Sequence, residues 1–308
     1  MRIPPSILTC LLIAGCKGQA NAPPDEINAA PVVCVVNYPL MYFTQRIAGD
    51  DARVRFPVPA DQDPASWRPT AEQIAEIQSS DLIVLNGAGY AKWVSLASLP
   101  ASKIVDTSAS FSDRYIETRE AATHSHGPAC EHSHAGTAFT TWLDFQQAAA
   151  QARAIDDALS ARRTGQADTF AANLSALRDD LLGLDSEMTE VARRIGDTPL
   201  VVSNAVYQYW ARRYGLNVRA VDWEPGVVPN VCAVNDLKAI LVEHPASVMI
   251  WHGEPDARSI ELLASMGLAT VVFDPCGNVP RHGDFLAVMR QNIRDLDRAS
   301  GAGEGNAE

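Results

Sequence analysis

Residues 170 to 195 read FAANLSALRDDLLGLDSEMTEVARRI, and this stretch decides how the rest of the chain is arranged. Phe170, Leu174, Leu177, Leu181, Leu184, Met188, Val191 and Ile195 recur at steps of four and three without a break. That spacing puts all eight on one stripe of an α-helix, with charged and small residues on the other face. Some 30 residues rising about 1.5 Å each span about 45 Å. A helix of that length can carry a separate lobe at each end and would resist hinge closure between them. The competing arrangement is a surface helix on a single domain.

The segments on either side favour two lobes. Before the helix, Val32 to Asn37 is a short β-branched run, followed at helical spacing by Leu40, Phe43 and Ile47 and closed by Gly49. Val54 to Val58 reads as a second strand. Thr70 and Gln73 have capping-box spacing at the head of a helix carrying Ile74 and Ile77. Leu82 to Leu85 is a third strand, Tyr90 to Ala97 a short helix and Lys103 to Asp106 a fourth strand. After the long helix, Leu200 to Ser203, Val218 to Val221, Val248 to Trp251 and Thr270 to Phe273 are short apolar strands. Helices fall between them at 205–214, 235–244 and 256–266, and a last one runs over 283–298. Strands alternating with helices imply parallel sheets covered on both faces. The expected fold is therefore α/β: two βα lobes with parallel sheets, joined by one long rigid helix, with a ligand cleft between them. The expected boundaries are 31–164 and 197–299 for the lobes and 165–196 for the connecting helix. Residues 300–308, rich in Gly and Glu, read as a disordered tail.

Length and charge agree with this picture. A chain of 308 residues is expected to form about two domains. The formal charge of −12 argues against a nucleic-acid surface, which needs clustered Lys and Arg. At the N-terminus, Arg2 precedes a short apolar run, Ile7 to Ala14, too short to span a membrane. The run ends in Ile13-Ala14-Gly15-Cys16, which resembles a lipobox. Residues 1–16 are thus expected to be a lipoprotein signal peptide, with Cys16 lipidated and 17–30 a tether. The competing reading is an ordinary signal peptide cut near Ala20 or Ala22. Either way the protein is exported, and the lipoprotein reading anchors it to a membrane. No later stretch reaches 18 apolar residues.

Several segments, taken in order, resemble the zinc- and manganese-type solute-binding proteins of bacterial ABC importers. Val32 to Asp50, with Tyr38-Pro39-Leu40, is similar to that family's opening. Asp63-Pro64-Ala65-Ser66-Trp67 resembles its Asp-Pro-His-x-Tyr motif, and Asp81 to Gly87 its strand-then-Gly segment. A His-rich insertion precedes Trp142-Leu143-Asp144, which resembles His-x-Trp-Leu-Asp. Tyr209 to Leu216 is similar to the helix closing the third ligand motif. Phe273-Asp274-Pro275, with Phe285, Met289 and Asn292, resembles the C-terminal signature. The resemblance covers about 32 to 298 and implies the same helix-bridged fold. It also implies an ABC permease and ATPase as partners and a monomeric protein that captures zinc or another divalent metal. The family usually holds its metal with three His and one carboxylate. By motif position, three of those sites hold Ala65, Thr140 and Ser203 here, and only the carboxylate, Asp274, remains. Ala has no donor, and neutral hydroxyls are poor zinc ligands.

Other residues could supply donors. Four of the seven His lie in His124-Ser125-His126-Gly127-Pro128-Ala129-Cys130-Glu131-His132-Ser133-His134. The segment has no apolar period, so it is a loop (121–136); metal capture by its imidazoles competes with a merely solvated insertion. His252 and Glu254 follow the third strand of the second lobe, and Asp274 and Cys276 follow the fourth. Ligands of open parallel sheets sit at strand carboxyl ends, so these four could form a replacement site. A disulfide between Cys232 and Cys276 competes with that site. Trp67, Trp142, Trp210, Trp223 and Trp251 line an organic-ligand pocket or belong to the core. No enzyme signature stands out: Gly87-Ala88-Gly89 lacks the third Gly of a dinucleotide fingerprint at Lys92, and there is no Gly-x-Ser-x-Gly elbow. Metal capture for an importer is the leading function. The alternatives are a relative that takes a non-metal small ligand in its cleft and a metal-buffering accessory lipoprotein.

Overall fold

The computed structural model describes residues 30–118 and 136–301. The chain opens with β1 (Val32–Val35), α1 (Tyr38–Ala48) and β2 (Arg53–Arg55). It continues through α2 (Ala71–Ser79), β3 (Leu82–Leu85) and β4 (Ile104–Asp106). The four strands form a parallel sheet in the order β2-β1-β3-β4. Val33, Cys34 and Val35 of β1 and Leu82, Ile83 and Val84 of β3 are all buried, as central parallel strands covered on both faces must be. β2 is shorter than the run Val54 to Val58, because Pro57 and Pro59 offer no amide to a ladder. Tyr90 to Ala97 holds only a 3₁₀ turn, Lys92–Leu96.

Local chemistry sets the ends of the helices. Asn37 caps α1 by accepting the Leu40 amide at 3.1 Å, and Pro39 falls in the first turn, where a missing N–H costs nothing. At α2 the Thr70–Gln73 capping box forms in both directions.

A two-residue hairpin, β5 (Glu117–Thr118) with β6 (Gly136–Thr137), closes the base of the His-rich segment. The segment itself, including His124, His126, His132 and His134, lies outside the described residues, as do Cys16 and the rest of the expected signal peptide.

Apolar periodicity does not announce the next helix. α3 (Phe145–Arg162) is capped by Asp144, whose carboxylate accepts the Gln146 and Gln147 amides. It buries Ala148, Ala152, Ile155 and Leu159 along one side. α4 (Ala167–Ile195) follows, 29 residues long, and every one of the eight stripe residues from Phe170 to Ile195 is buried. Burying each large side chain contributes about 1.5–3 kcal/mol relative to exposure.

The second lobe comprises β7 (Leu200–Val202), α5 (Gln208–Tyr214), β8 (Val218–Ala220), α6 (Val231–Glu243), β9 (Val248–Trp251), α7 (Ala257–Ser265) and β10 (Ala269–Val272). Its sheet is also wholly parallel, in the order β10-β9-β7-β8. α6 begins earlier than 235 because Asn230 caps it, its side-chain Oδ1 accepting the Ala233 amide at 2.9 Å. α8 (Phe285–Gly301) returns to pack on α4 and carries the chain through Ser300, which is helical rather than part of a tail. One core cluster runs from β1 and α1 through α4 to β7, β9 and α8, so both lobes share it. A smaller cluster around Trp223, Leu237 and Trp251 belongs to the second lobe alone. Trp67, Trp142, Trp210, Trp223 and Trp251 are all buried in these cores. Among the described residues no helix is long and apolar enough to cross a membrane.

Candidate metal centre

The carboxyl ends of the two sheets meet at a seam. The Trp142 indole donates to the Pro275 carbonyl at 2.7 Å, and the Tyr38 amide donates to the Gly277 carbonyl at 3.0 Å. The Asn278 side chain donates to the Pro59 and Gln62 carbonyls at 2.8 and 2.7 Å. The Thr140 hydroxyl donates to the Val206 carbonyl, and the Ile116 amide to the Tyr209 hydroxyl at 3.3 Å. The last two bonds put the base of the His-rich hairpin beside the seam. Gly87, at φ +76°, makes the loop after β3 possible: a Cβ there would stand 1.8 Å from the Ser108 hydroxyl and 2.3 Å from an Asp106 carboxylate oxygen.

On the second-lobe side, Ser203 follows β7 and is fully buried. Its Oγ accepts the His252 amide at 3.2 Å and lies 2.7 Å from His252 Nδ1. The other ring nitrogen, Nε2, is 3.5 Å from Glu224 Oε2. Glu224 Oε1 in turn accepts the Asn204 side-chain amide at 3.2 Å. Asp274, after β10, is partly buried; desolvation raises its carboxyl above the usual range, while the Cys276 amide and the His252 charge pull the other way. Sequence spacing missed Glu224, which sits in the Pro- and Gly-containing loop 222–230 with no periodic signal. Its one cue is that this loop also follows a strand end, that of β8.

The other candidate residues fall differently. Ala65 is buried and offers no donor, and its amide bonds to Asp63. Thr140 has already used its hydroxyl proton on Val206. Among the described residues no hydrogen bond or ion pair joins Ala65, Thr140, Ser203 and Asp274 to one another. Glu254, expected beside His252, is exposed and joins none of these contacts. Cys276, at φ +60°, is buried; burial first, then the charges of Asp274 and Asp284, push its thiol far above the ordinary range. The bridge to Cys232 does not form: Cys34, Cys232 and Cys276 are all free. Cys232 sits in the first turn of α6, whereas Cys276 is held in the buried turn after β10, its amide donating to Asp274 at 2.7 Å. Of the other His residues, His244 is buried and bonds the Leu200 carbonyl at 2.9 Å, and His282 is exposed. Among the described residues no three His, Cys, Asp or Glu side chains already converge as a metal cage.

Two parallel α/β lobes bound to one long helix, with polar groups collected where their strand ends face each other, define a helix-bridged, two-lobed α/β protein. The chain belongs to the family described as zinc-uptake complex component A, periplasmic, whose model matches residues 33–299. It is 26% identical over 304 residues to the high-affinity zinc uptake system protein ZnuA of Bacillus subtilis, covering 93% of both chains. It is 24% identical to the zinc-binding lipoprotein AdcA of Streptococcus pneumoniae, covering 95% of this chain but only 59% of that protein. Among solved structures, the Zn(II)-bound ZnuA-like domain of Streptococcus pneumoniae AdcA superposes with a TM-score of 0.74 at 21% identity, over 88% of this chain and 99% of the other. FpvC from Pseudomonas aeruginosa, in complex with Mn2+, superposes with a TM-score of 0.71 at 20% identity, over 89% and 100%.

Proposed function

We propose that this chain captures a divalent metal, zinc first, outside the cytoplasm and delivers it to the permease and ATPase of an ABC importer. The observation that carries this reading is the family match across 33–299 on a helix-bridged two-lobe fold. The names of the relatives speak for a metal cargo and not for a non-metal ligand in the cleft. The protein's work is capture and release, not catalysis. Lipidation of Cys16 would hold it at the membrane as a monomer within reach of its permease. The His-rich segment 121–136 is the natural first catcher, because its hairpin base lies beside the seam. Neutral imidazoles are good zinc donors.

The test is zinc titration of the mature chain by calorimetry, with and without residues 121–136. The intact protein should bind more than one zinc, and the deletion variant should lose the segment's share while keeping its circular dichroism spectrum. An intact chain that binds neither zinc nor manganese at micromolar concentration would overturn the reading.

A further inference from the structure

We infer that His252 and Glu224 form a two-donor metal site carried by the second lobe alone, a site that rests on the metal-capture reading above. The imidazole missing from the end of β7 is restored from the neighbouring strand. Ser203 stands where the resemblance puts a ligand, and His252 Nδ1 lies 2.7 Å from its hydroxyl. When Nδ1–H donates to Ser203 Oγ, that oxygen accepts it together with the His252 amide, which fills both lone pairs. The Nε2 lone pair is then free and its direction fixed. This is the outer partner that an imidazole ligand ordinarily needs.

The next residue in the chain does the same for the carboxylate. Asn204 holds Glu224 Oε1 and leaves Oε2 available. The Trp223 amide donates to the Ser203 carbonyl at 2.7 Å, which ties the loop carrying Glu224 to the same strand end. Two adjacent residues, Ser203 and Asn204, therefore orient one nitrogen and one oxygen donor.

The spacing of those donors fits an ion between them. Bonds of about 2.0–2.1 Å at tetrahedral angles place two ligand atoms about 3.3–3.4 Å apart. His252 Nε2 and Glu224 Oε2 are 3.5 Å apart, long for a hydrogen bond and close to that separation. Water completes the set around these two protein donors. Glu224 is 62% exposed and His252 20%, so the ion can reach its ligands from the rim without the lobes parting.

The experiment uses the full mature chain with His124, His126, His132 and His134 all changed to Ala, titrated with zinc alone. One zinc should remain. His252→Ala and Glu224→Gln should each weaken it at least tenfold, and Ser203→Ala should weaken it by about 10–100-fold, the range for an outer-shell partner. Thermal unfolding reports whether each variant is folded. If His252→Ala is not, Glu224→Gln, on the exposed rim, decides the matter alone. Undiminished affinity in Glu224→Gln and in a folded His252→Ala overturns the site. Loss of all zinc in the four-His variant also overturns it and leaves the capture reading standing. A native chain that binds no zinc removes both.

Discussion

Asp185 does at one point what the seam does across a surface. It lies in the middle of α4, and Arg213 reaches it from the second lobe at 2.9 and 2.6 Å, while Tyr214 adds a bond at 3.0 Å. Gln146, at the start of α3, reaches it from the first lobe at 3.3 Å. Burial alone would raise this carboxyl, but the bonds from Arg213, Tyr214 and Gln146 outweigh it and hold the group below the usual range. A folded-state value below the unfolded one, about 3.9, means stability that is present above that pH and lost as pH falls through the depressed value. Asp185→Asn should therefore cost about 2–3 kcal/mol at pH 7, as charge-assisted bonds do. The gap to the native chain should narrow at pH 3. Urea midpoints at the two pH values check this, and equal gaps would refute it. Little of this was legible beforehand, because a charged residue on a helix looks solvated until its partners, 28 and 39 residues away, are folded against it. The same holds for Glu224. Its value lies in Asn204 and His252, and no spacing along the chain connects the three.

Among the elements, α4 was the most legible because eight large apolar residues on one stripe have no other use in water. Leu181→Ala, at a fully buried position facing the core, should cost about 2–5 kcal/mol with the fold retained. Chemical denaturation measures it, and a loss under 1 kcal/mol would mean that the helix is less tightly held than its burial implies. The parallel strands were legible for the same reason: a run such as Leu82 to Leu85 satisfies a sheet covered on both faces. α3 was not, because its buried stripe begins with Ala148 and Ala152, and alanine is as common on exposed faces as on buried ones. The ends of elements moved where proline or a cap intervened, at Pro57 and at Asn230. The expected disulfide failed at this level too. Cys232 was expected in a loop but lies in the first turn of α6, and sharing one end of the sheet did not pair it with Cys276.

For the molecule as a whole, the two lobes are not two folding units. The core cluster that includes Val35 and Phe43 also includes Leu200, Ile250 and Phe285, with α4 between them. Ion pairs extend the union at the surface: Arg46 of α1 and Arg290 of α8 converge on Asp180 of α4, at 2.8 and 3.7 Å. Such a body should melt in one calorimetric transition whose van't Hoff and calorimetric enthalpies agree. Two resolved transitions would show that the lobes stand independently. The order of elements, the parallel sheets and the bridging helix could be read in advance from periodicity. The closeness of the lobes could not, since it depends on backbone carbonyls such as those of Pro275 and Gly277, which carry no signature in the sequence.

The bond from Trp142 to Pro275 has a consequence in the time domain. An indole proton held by a carbonyl of the opposite lobe can exchange with heavy water only while the two surfaces are apart. Among the described residues, the buried indole nitrogens of Trp210 and Trp251 have no such acceptor. Trp142 therefore works as a built-in clock: each deuterium that replaces its ring proton marks a separation of the lobes, and cargo that holds them together would slow its ticking.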